Sequence, residues 1–275
     1  MTSAAFPVTV TAANGQVTIT AAPKKIVSLS PTATEMLFAL GAGAQVIAVD
    51  DQSTYPATAP KTKLSGFQPN AEAVAAYAPD LVVFSNDANG LKAALTKLTI
   101  PVLELPAAAT LEESYVQEAT LGTATGHDKE ATALVATTKA RLAAAVASVP
   151  RTTRAPKVYH ELDPTYFSVT SKTFIGNLYT TLGLVSIADG AGDTSGGYPK
   201  LSAEFVITSA PDLVVLADSK CCGQNEASFA KRPGFASLPA VLNGDVVAAD
   251  DDIASRWGPR VADLAEAVAK EMATP

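Results

Sequence analysis

The chain has 275 residues, of which 48% are hydrophobic and 17% charged, and its net charge is −7. That is enough apolar material for one large or two medium domains, and the acidic balance argues against nucleic acid or an anionic membrane surface as the main partner. No apolar run approaches the ~20 residues of a membrane span.

The first five residues, Met1-Thr2-Ser3-Ala4-Ala5, carry neither the basic n-region nor the apolar h-region of a secretory signal. Taken at face value this points to the cytoplasm. Strand-like runs at 6–11 and 17–20 flank Asn14-Gly15, a hairpin signal because both residues tolerate positive φ. Ile26–Leu29 reads as a buried strand, and Thr32-Ala33-Thr34-Glu35 has capping-box spacing for a helix reaching Leu40 and stopping at Gly41 or Gly43. A strand follows at Val46–Val49, then a loop over 50–69 that carries Tyr55 and Phe67. Asn70 begins a short helix, Leu81–Phe84 is a strand, 91–98 a helix and 102–105 a strand. Helix is expected again at 111–122. Past Gly126 the pattern predicts one long helix over 128–149, with Leu134, Val135, Leu142 and Val146 on one face. At 1.5 Å per residue it is about 33 Å long, suited to a rigid connector.

The second half repeats the plan. Strands are expected at 158–162, 185–188, Leu213–Leu216 and 246–249, and helices at 173–182 and 260–272. The repeat is visible in the letters. EAVAAYAPDLVVFSND at 72–87 and EFVITSAPDLVVLADS at 204–219 agree without gaps at Glu72/Glu204, Val74/Val206, Ala78/Ala210, Pro79/Pro211, Asp80/Asp212 and Leu81/Leu213 through Val83/Val215. Each copy has an N-cap (Asn70, Ser202), a glutamate two residues later, a proline that stops the helix and a wholly apolar strand. One repeat at half the chain length implies two similar lobes. The fold class is therefore α/β, with two Rossmann-like lobes built on parallel central sheets and joined by a single long helix. The expected boundaries are 1–126, 127–150 and 151–275.

Several chemical motifs fail on their setting. Gly41-Ala42-Gly43 follows a helix, whereas a dinucleotide fingerprint needs a strand-to-helix turn. The glycine-rich loop at 190–197 lacks the spacing of a nucleophile motif. The two histidines, His127 and His160, are too few for a transition-metal site, so no metal ligands are assigned. His160 reads mainly as a structural residue. Cys221 and Cys222 are adjacent. Neighbouring Cα atoms lie ~3.8 Å apart, short of the usual ~4.4 Å for bridged cysteines. Two free thiols and a strained vicinal disulfide both remain open, with the disulfide expected in an oxidising compartment.

The tracts KKIVSLSPTATEMLFALGAGAQVIAVDD, TYPATAPKTKLSGFQPNAEAVAAYAPDLVV and SAEFVITSAPDLVVL together resemble substrate-binding proteins of ABC importers, in the branch handling vitamin B12, haem and ferric siderophores. The similarity runs over roughly 23–272. It implies a two-lobed binding protein, not an enzyme, acting as a monomer outside the cytoplasm, with its export signal or lipid anchor trimmed. It implies a ligand held between the lobes, and a dimeric membrane permease on which Glu72 and Glu204 dock. The chain carries no cofactor of its own in this reading.

Independently, ligands of open parallel sheets bind beyond the carboxyl ends of the strands. The loops expected there carry Tyr55, Phe67, Tyr166, Phe167, Tyr198 and Trp257, although aromatics are only 6% of the chain. Ordinary packing is expected for Tyr166 or Phe167. The ligand-contact set is Tyr55, Phe67, Phe167, Tyr198, Cys221, Cys222, Arg256, Trp257 and Arg260. The resemblance favours cobalamin or another corrinoid as transported ligand, because aromatics stand at Tyr55, Phe67, Tyr198 and Trp257. Haem or a ferric siderophore is the alternative. A metal-cofactor enzyme and a cytoplasmic sensor are remoter ones.

Overall fold

The structure is a computed structural model that describes residues 5–150, 152–192 and 195–273. Residues 1–4, and Asp193 and Thr194 of the glycine-rich loop, lie outside the described residues. The chain divides into two compact units. One holds the residues up to Ala108 and Glu112–Thr137; the other holds Ala109–Leu111 and everything from Thr138 onward.

The first unit opens with the antiparallel hairpin β1 (Val8–Ala12) and β2 (Gly15–Ile19). Ala12 pairs with Gly15, so the loop is Ala13-Asn14 and the positive φ of +99° falls on Gly15 alone, one residue from the expected turn. Next come β3 (Ile26–Leu29), α1 (Pro31–Ala39), a single 3-10 turn at Ala42–Gln45, β4 (Val46–Val49), α2 (Ala71–Ala75), β5 (Leu81–Phe84), α3 (Leu91–Lys97) and β6 (Val102–Glu104). The sheet is parallel, in the order β4-β3-β5-β6. Asn14 explains the displaced turn. Its amide donates to the Val102 carbonyl (2.9 Å) and accepts from the Glu104 N–H (2.9 Å), so the hairpin loop covers the otherwise open edge of β6.

The cap of α1 is also displaced from Thr32. Ser30 Oγ accepts from the Ala33 N–H and Pro31 occupies the first helical position, which needs no N–H. The caps of α2 fall where the repeat predicts: Asn70 Oδ1 accepts from the Ala73 N–H at 2.9 Å. α2 ends at Ala75, ahead of the expected stop, and Ala78, the residue before Pro79, stands outside the right-handed region at φ +47°.

Helix α4 (Leu111–Thr125) and helix α5 (Asp128–Ser148) follow, and α5 begins in the first unit and ends in the second. The buried stripe of α5 is made by Ala131, Thr138, Leu142 and Ala145, while Val146 is exposed. Of the larger residues expected on the inner face, Leu142 is buried, Leu134 and Val135 are half-buried and Val146 is exposed; small residues fill the rest of the stripe, and at Ala131 the helices approach closely. A Cβ added at Gly122 of α4 would lie 2.4 Å from Ala131 Cβ.

The second unit comprises β7 (Lys157–Glu161), α6 (Phe174–Thr181), β8 (Val185–Ser186), α7 (Ala203–Ser209), β9 (Leu213–Leu216), α8 (Ser219–Cys222), α9 (Glu226–Ala230), α10 (Pro239–Asn243), β10 (Val246–Ala248), α11 (Asp251–Ser255) and α12 (Val261–Met272). Its sheet, β8-β7-β9-β10, is parallel and copies the first. Ile26 pairs with Leu81 in one sheet; Val158 pairs with Leu213 in the other, each partner 132 positions later. Ser202 caps α7 through the Phe205 N–H (3.1 Å), and Ala210 ends the turn at φ +46°. β8 is shorter than expected because Ile187–Ala191 coils into a 3-10 helix. The segments after β9 and β10 contain α8 and α11, both too short for a periodic signal.

Candidate functional site

In the first unit the carboxyl edge of the sheet leads into 50–69. Asp50, directly after β4, accepts from the Gln52 N–H (2.8 Å) and the Ser53 hydroxyl (3.1 Å). Burial pushes its carboxyl above the usual value. The hydroxyls of Ser28, Thr34 and Ser53 are buried in a chain with 2.9 Å steps that ends on this carboxylate. They pin the start of a loop lining a pocket of about 270 Å³, walled by Asp51, Thr54, Pro56, Lys61 and Thr62 among others. Further on, Gly66 packs against the end of β3: a Cβ there would meet the Leu29 carbonyl at 2.8 Å. That close approach holds Phe67 at the sheet edge with 77% of its surface exposed, and Tyr55 is 45% exposed. Exposure this large on a well-anchored aromatic is not what core packing calls for.

In the second unit Phe167 and Tyr198 sit on neighbouring segments. Phe167 bridges to Lys200, whose Nζ lies 5.6 Å above the ring, and Thr170 N–H donates to the Gly197 carbonyl at 2.8 Å. Gly197, at φ +103°, is pressed against Thr173, so the residue before Tyr198 has to be glycine, as with Gly66 before Phe67. Tyr198 is 45% exposed, and burial of the remainder raises its phenol pKa. Tyr166 belongs to the packing set: it borders the core of Phe229 and Phe235.

Beneath these residues lies a charged cluster that the sequence did not announce. Glu161, the fully buried last residue of β7, accepts both arms of Arg232 at 2.6 Å and the Tyr159 hydroxyl at 2.9 Å. The same guanidinium lies 5.0 Å from the Phe229 ring centre, 5.6 Å from Tyr166 and 5.8 Å from Phe235. Asp218 is also fully buried, and neither of its carboxyl oxygens has a hydrogen-bond partner. Burial first, and the neighbouring Glu161 carboxylate second, push its pKa up to about 7. His160 is buried with Nδ1 at 2.6 Å from the Tyr179 hydroxyl; burial lowers its pKa to about 3, so it stays neutral inside the core.

Cys221 and Cys222 are exposed and joined by a disulfide across a Cα separation of 3.8 Å. Their turn is the short helix α8, and it lies against α11. From α11 the chain continues through Arg256, paired with Asp252 at 2.7 Å, to half-buried Trp257 and to Arg260 at the start of α12. The structure thus joins the Cys221–Cys222 turn to α11, which leads into Arg256 and Trp257, in one unit; Tyr55 and Phe67 share the 50–69 loop of the other. Glu72 and Glu204 are exposed at the second positions of α2 and α7. Among the described residues there is no cluster of histidine, cysteine and carboxylate side chains able to hold a metal ion, and no helix long and apolar enough to cross a membrane.

Residues 26–253 match the family model described as periplasmic binding protein. A cobalamin-binding protein of Halobacterium salinarum is 33% identical over 265 residues, covering 93% of this chain and 71% of the relative. The ABC transporter substrate-binding lipoprotein YvrC of Bacillus subtilis is 31% identical over 278 residues, covering 97% and 86%. Among solved structures, the periplasmic heme-binding protein RhuT of Roseiflexus sp. RS-1 superposes with a TM-score of 0.78 at 25% identity, over 91% of this chain and 98% of that one. With two parallel-sheet units of matching topology and the family match spanning both, the chain belongs to the periplasmic binding protein family and is a binding protein, not an enzyme.

Proposed function

We propose that this protein captures a large, flat, metal-containing cofactor of the corrinoid class outside the cytoplasm and delivers it to the permease of an ABC importer. The observation that carries the reading is the set of aromatics in loops that follow the strands of the two sheets: exposed Tyr55 and Phe67 in one unit, exposed Tyr198 and half-buried Trp257 in the other. Aromatic faces suit a broad apolar macrocycle better than a sugar or an amino acid. The cobalamin-binding relative adds weight to the corrinoid choice. Anionic ferric siderophores call for several arginines facing the ligand; the contact set holds two, Arg256 and Arg260, and Arg256 is already paired with Asp252. Phe167, Cys221, Cys222, Arg256 and Arg260 complete the proposed contact set.

Haem is the second reading, favoured by the likeness to a heme-binding protein. It requires an axial histidine or tyrosine. His160 is buried and bonded to Tyr179, which leaves Tyr55 and Tyr198. The raised pKa of Tyr198 opposes the phenolate form that iron prefers. Titrating the protein with cyanocobalamin and, separately, haemin, while following emission of the single tryptophan, tests the choice. Saturable quenching by cyanocobalamin and weak, unsaturable quenching by haemin is the expected result. The reverse order assigns the protein to haem.

A further inference from the structure

Helix α8 is one turn long and carries the exposed disulfide. A single turn does not hold itself together in water, and its first amides need acceptors. The residue placed to supply one, Asp218, does not: its side chain is turned inward, fully buried, and makes no cap bond. The acceptors come instead from α11, about thirty residues away. Asp251 Oδ1 accepts from the Lys220 N–H at 2.8 Å and from the Ser219 hydroxyl at 3.3 Å, and Oδ2 accepts from the Cys221 N–H at 2.7 Å. One carboxylate thus occupies the cap position of a helix to which it does not belong.

The residues on either side of Asp251 strengthen the link. Asp250 caps α11 through the Asp252 N–H at 2.9 Å. Asp252 takes the Lys220 ammonium at 3.0 Å and the Arg256 guanidinium at 2.7 Å. Charge-assisted bonds therefore tie the α8 turn to α11 at Asp251, and at the next residue Asp252 holds both Lys220 and Arg256, the residue preceding Trp257. The disulfide itself closes only a two-residue ring and does not constrain where the turn lies.

We infer that Asp251 is a positioning residue: it splints the Cys221–Cys222 turn to the Arg256-Trp257 segment, so that the two present one ligand-facing element. The inference rests on the proposed reading that both segments contact the transported ligand. It requires the redox state of the disulfide to be felt at Trp257, and requires that this coupling pass through Asp251.

The test is a cycle of two perturbations on the full chain. Disulfide reduction with dithiothreitol, confirmed by titrating two thiols, is combined with Asp251→Ala and, as a milder variant that keeps one acceptor oxygen, Asp251→Asn. The readout is the emission spectrum of Trp257, the only tryptophan in the chain. Reduction is expected to shift the emission of the parent protein. In Asp251→Ala the oxidised protein is expected to have a shifted spectrum already, and reduction to change it little; Asp251→Asn is expected to fall between. Equal responses to reduction with and without the Asp251 carboxylate, or no response in the parent protein, overturn the inference. If Asp251→Ala does not fold, the Asp251→Asn comparison decides alone. With cyanocobalamin as probe, Asp251→Ala should weaken binding about tenfold, as the ligand then has to order a turn that the carboxylate no longer holds. Failure of the parent protein to bind cyanocobalamin overturns the proposed ligand, while the ligand-free emission cycle still decides the role of Asp251.

Discussion

Asp80 and Asp212, 132 positions apart, perform the same task at the same point of two sheets. Asp80 accepts from the Lys24 and Lys25 N–H groups at 2.9 Å, ahead of β3. Asp212 accepts from the Lys157 N–H at 2.8 Å, at the start of β7. Each aspartate returns its own N–H to the same strand, Asp80 to the Lys25 carbonyl and Asp212 to that of Lys157. The preceding alanines, at φ +47° and +46°, cost about 1–2 kcal/mol each. The aspartate bonds hold the turn in that conformation, which explains why Ala-Pro-Asp recurs intact in both halves.

Removal of either carboxylate should therefore destabilise its unit. Asp80→Ala and Asp212→Ala are each expected to lower stability by about 1–2 kcal/mol, measured by urea unfolding. Asp212 has an added pH signature. Burial pushes its carboxyl up, but the Arg154 hydrogen bonds and the Lys157 amide together outweigh burial and hold it below the usual value. Its stabilisation is thus present above the unfolded-state pKa and lost as pH falls below about 4. Asp212→Ala should show a shallower acid limb than the parent protein.

Arg232 and Glu161 form the pair whose disruption should cost most. Glu161 is fully buried and Arg232 only 14% exposed. Arg232→Ala leaves a buried carboxylate with only the Tyr159 hydroxyl, at an expected cost of about 3–5 kcal/mol. Replacing both, Arg232→Met with Glu161→Leu, should cost much less than Arg232→Ala alone. Equal losses in chemical denaturation would show that the ion pair is incidental to the site.

Asp218 predicts a pH dependence of the opposite sign to Asp212. Its folded-state pKa of about 7 lies above the usual 3.8, raised by burial and by Glu161 and opposed by Arg232. Between these values the folded chain holds a proton that the unfolded chain releases, so stability falls as pH rises from about 4 to about 7. Glu118, buried without a partner and also raised to about 7, acts in the same direction. Asp218→Asn combined with Glu118→Gln should flatten the stability profile over this window. An unchanged slope between pH 5 and pH 7 would sink the assignment.

Glu72 and Glu204 make no ion pair among the described residues and lie exposed at helix starts. A helix-dipole role accounts for about 0.3–1 kcal/mol each. We propose that they also contact a dimeric permease, two weak contacts reinforcing each other through effective concentration. The double variant Glu72→Ala/Glu204→Ala is expected to keep its ligand affinity and melting temperature while losing most ligand-transport activity with the cognate permease. Transport at the parental rate, with expression confirmed, leaves only the dipole role.

The local grammar of this chain was legible without a structure. Apolar four-residue runs became β3, β5 and β9, and Asn70 and Ser202 capped their helices, because buried parallel strands and N-caps are decided within a few residues of backbone. The repeat was enough to indicate two similar units; their common strand order came from the structure. Of the proposed contact residues, Tyr55, Phe67, Tyr198 and Trp257 could be picked out as aromatics in loops beyond strand ends, since that inference needs only the strand assignment.

What the tertiary structure decided are the bonds between segments far apart in sequence. Glu161 ends an apolar strand, and nothing near it names Arg232 as its partner. Asp251 sits in a run of acidic residues that reads as solvated surface, yet it caps the disulfide turn thirty residues upstream. Gly66 and Gly197 look like ordinary loop glycines, and only the approach of Leu29 and Thr173 shows why a side chain cannot stand there. Sequence periodicity reports which face of an element is apolar. It does not report which distant polar group will be within 3 Å, and the chemistry of this site depends on that.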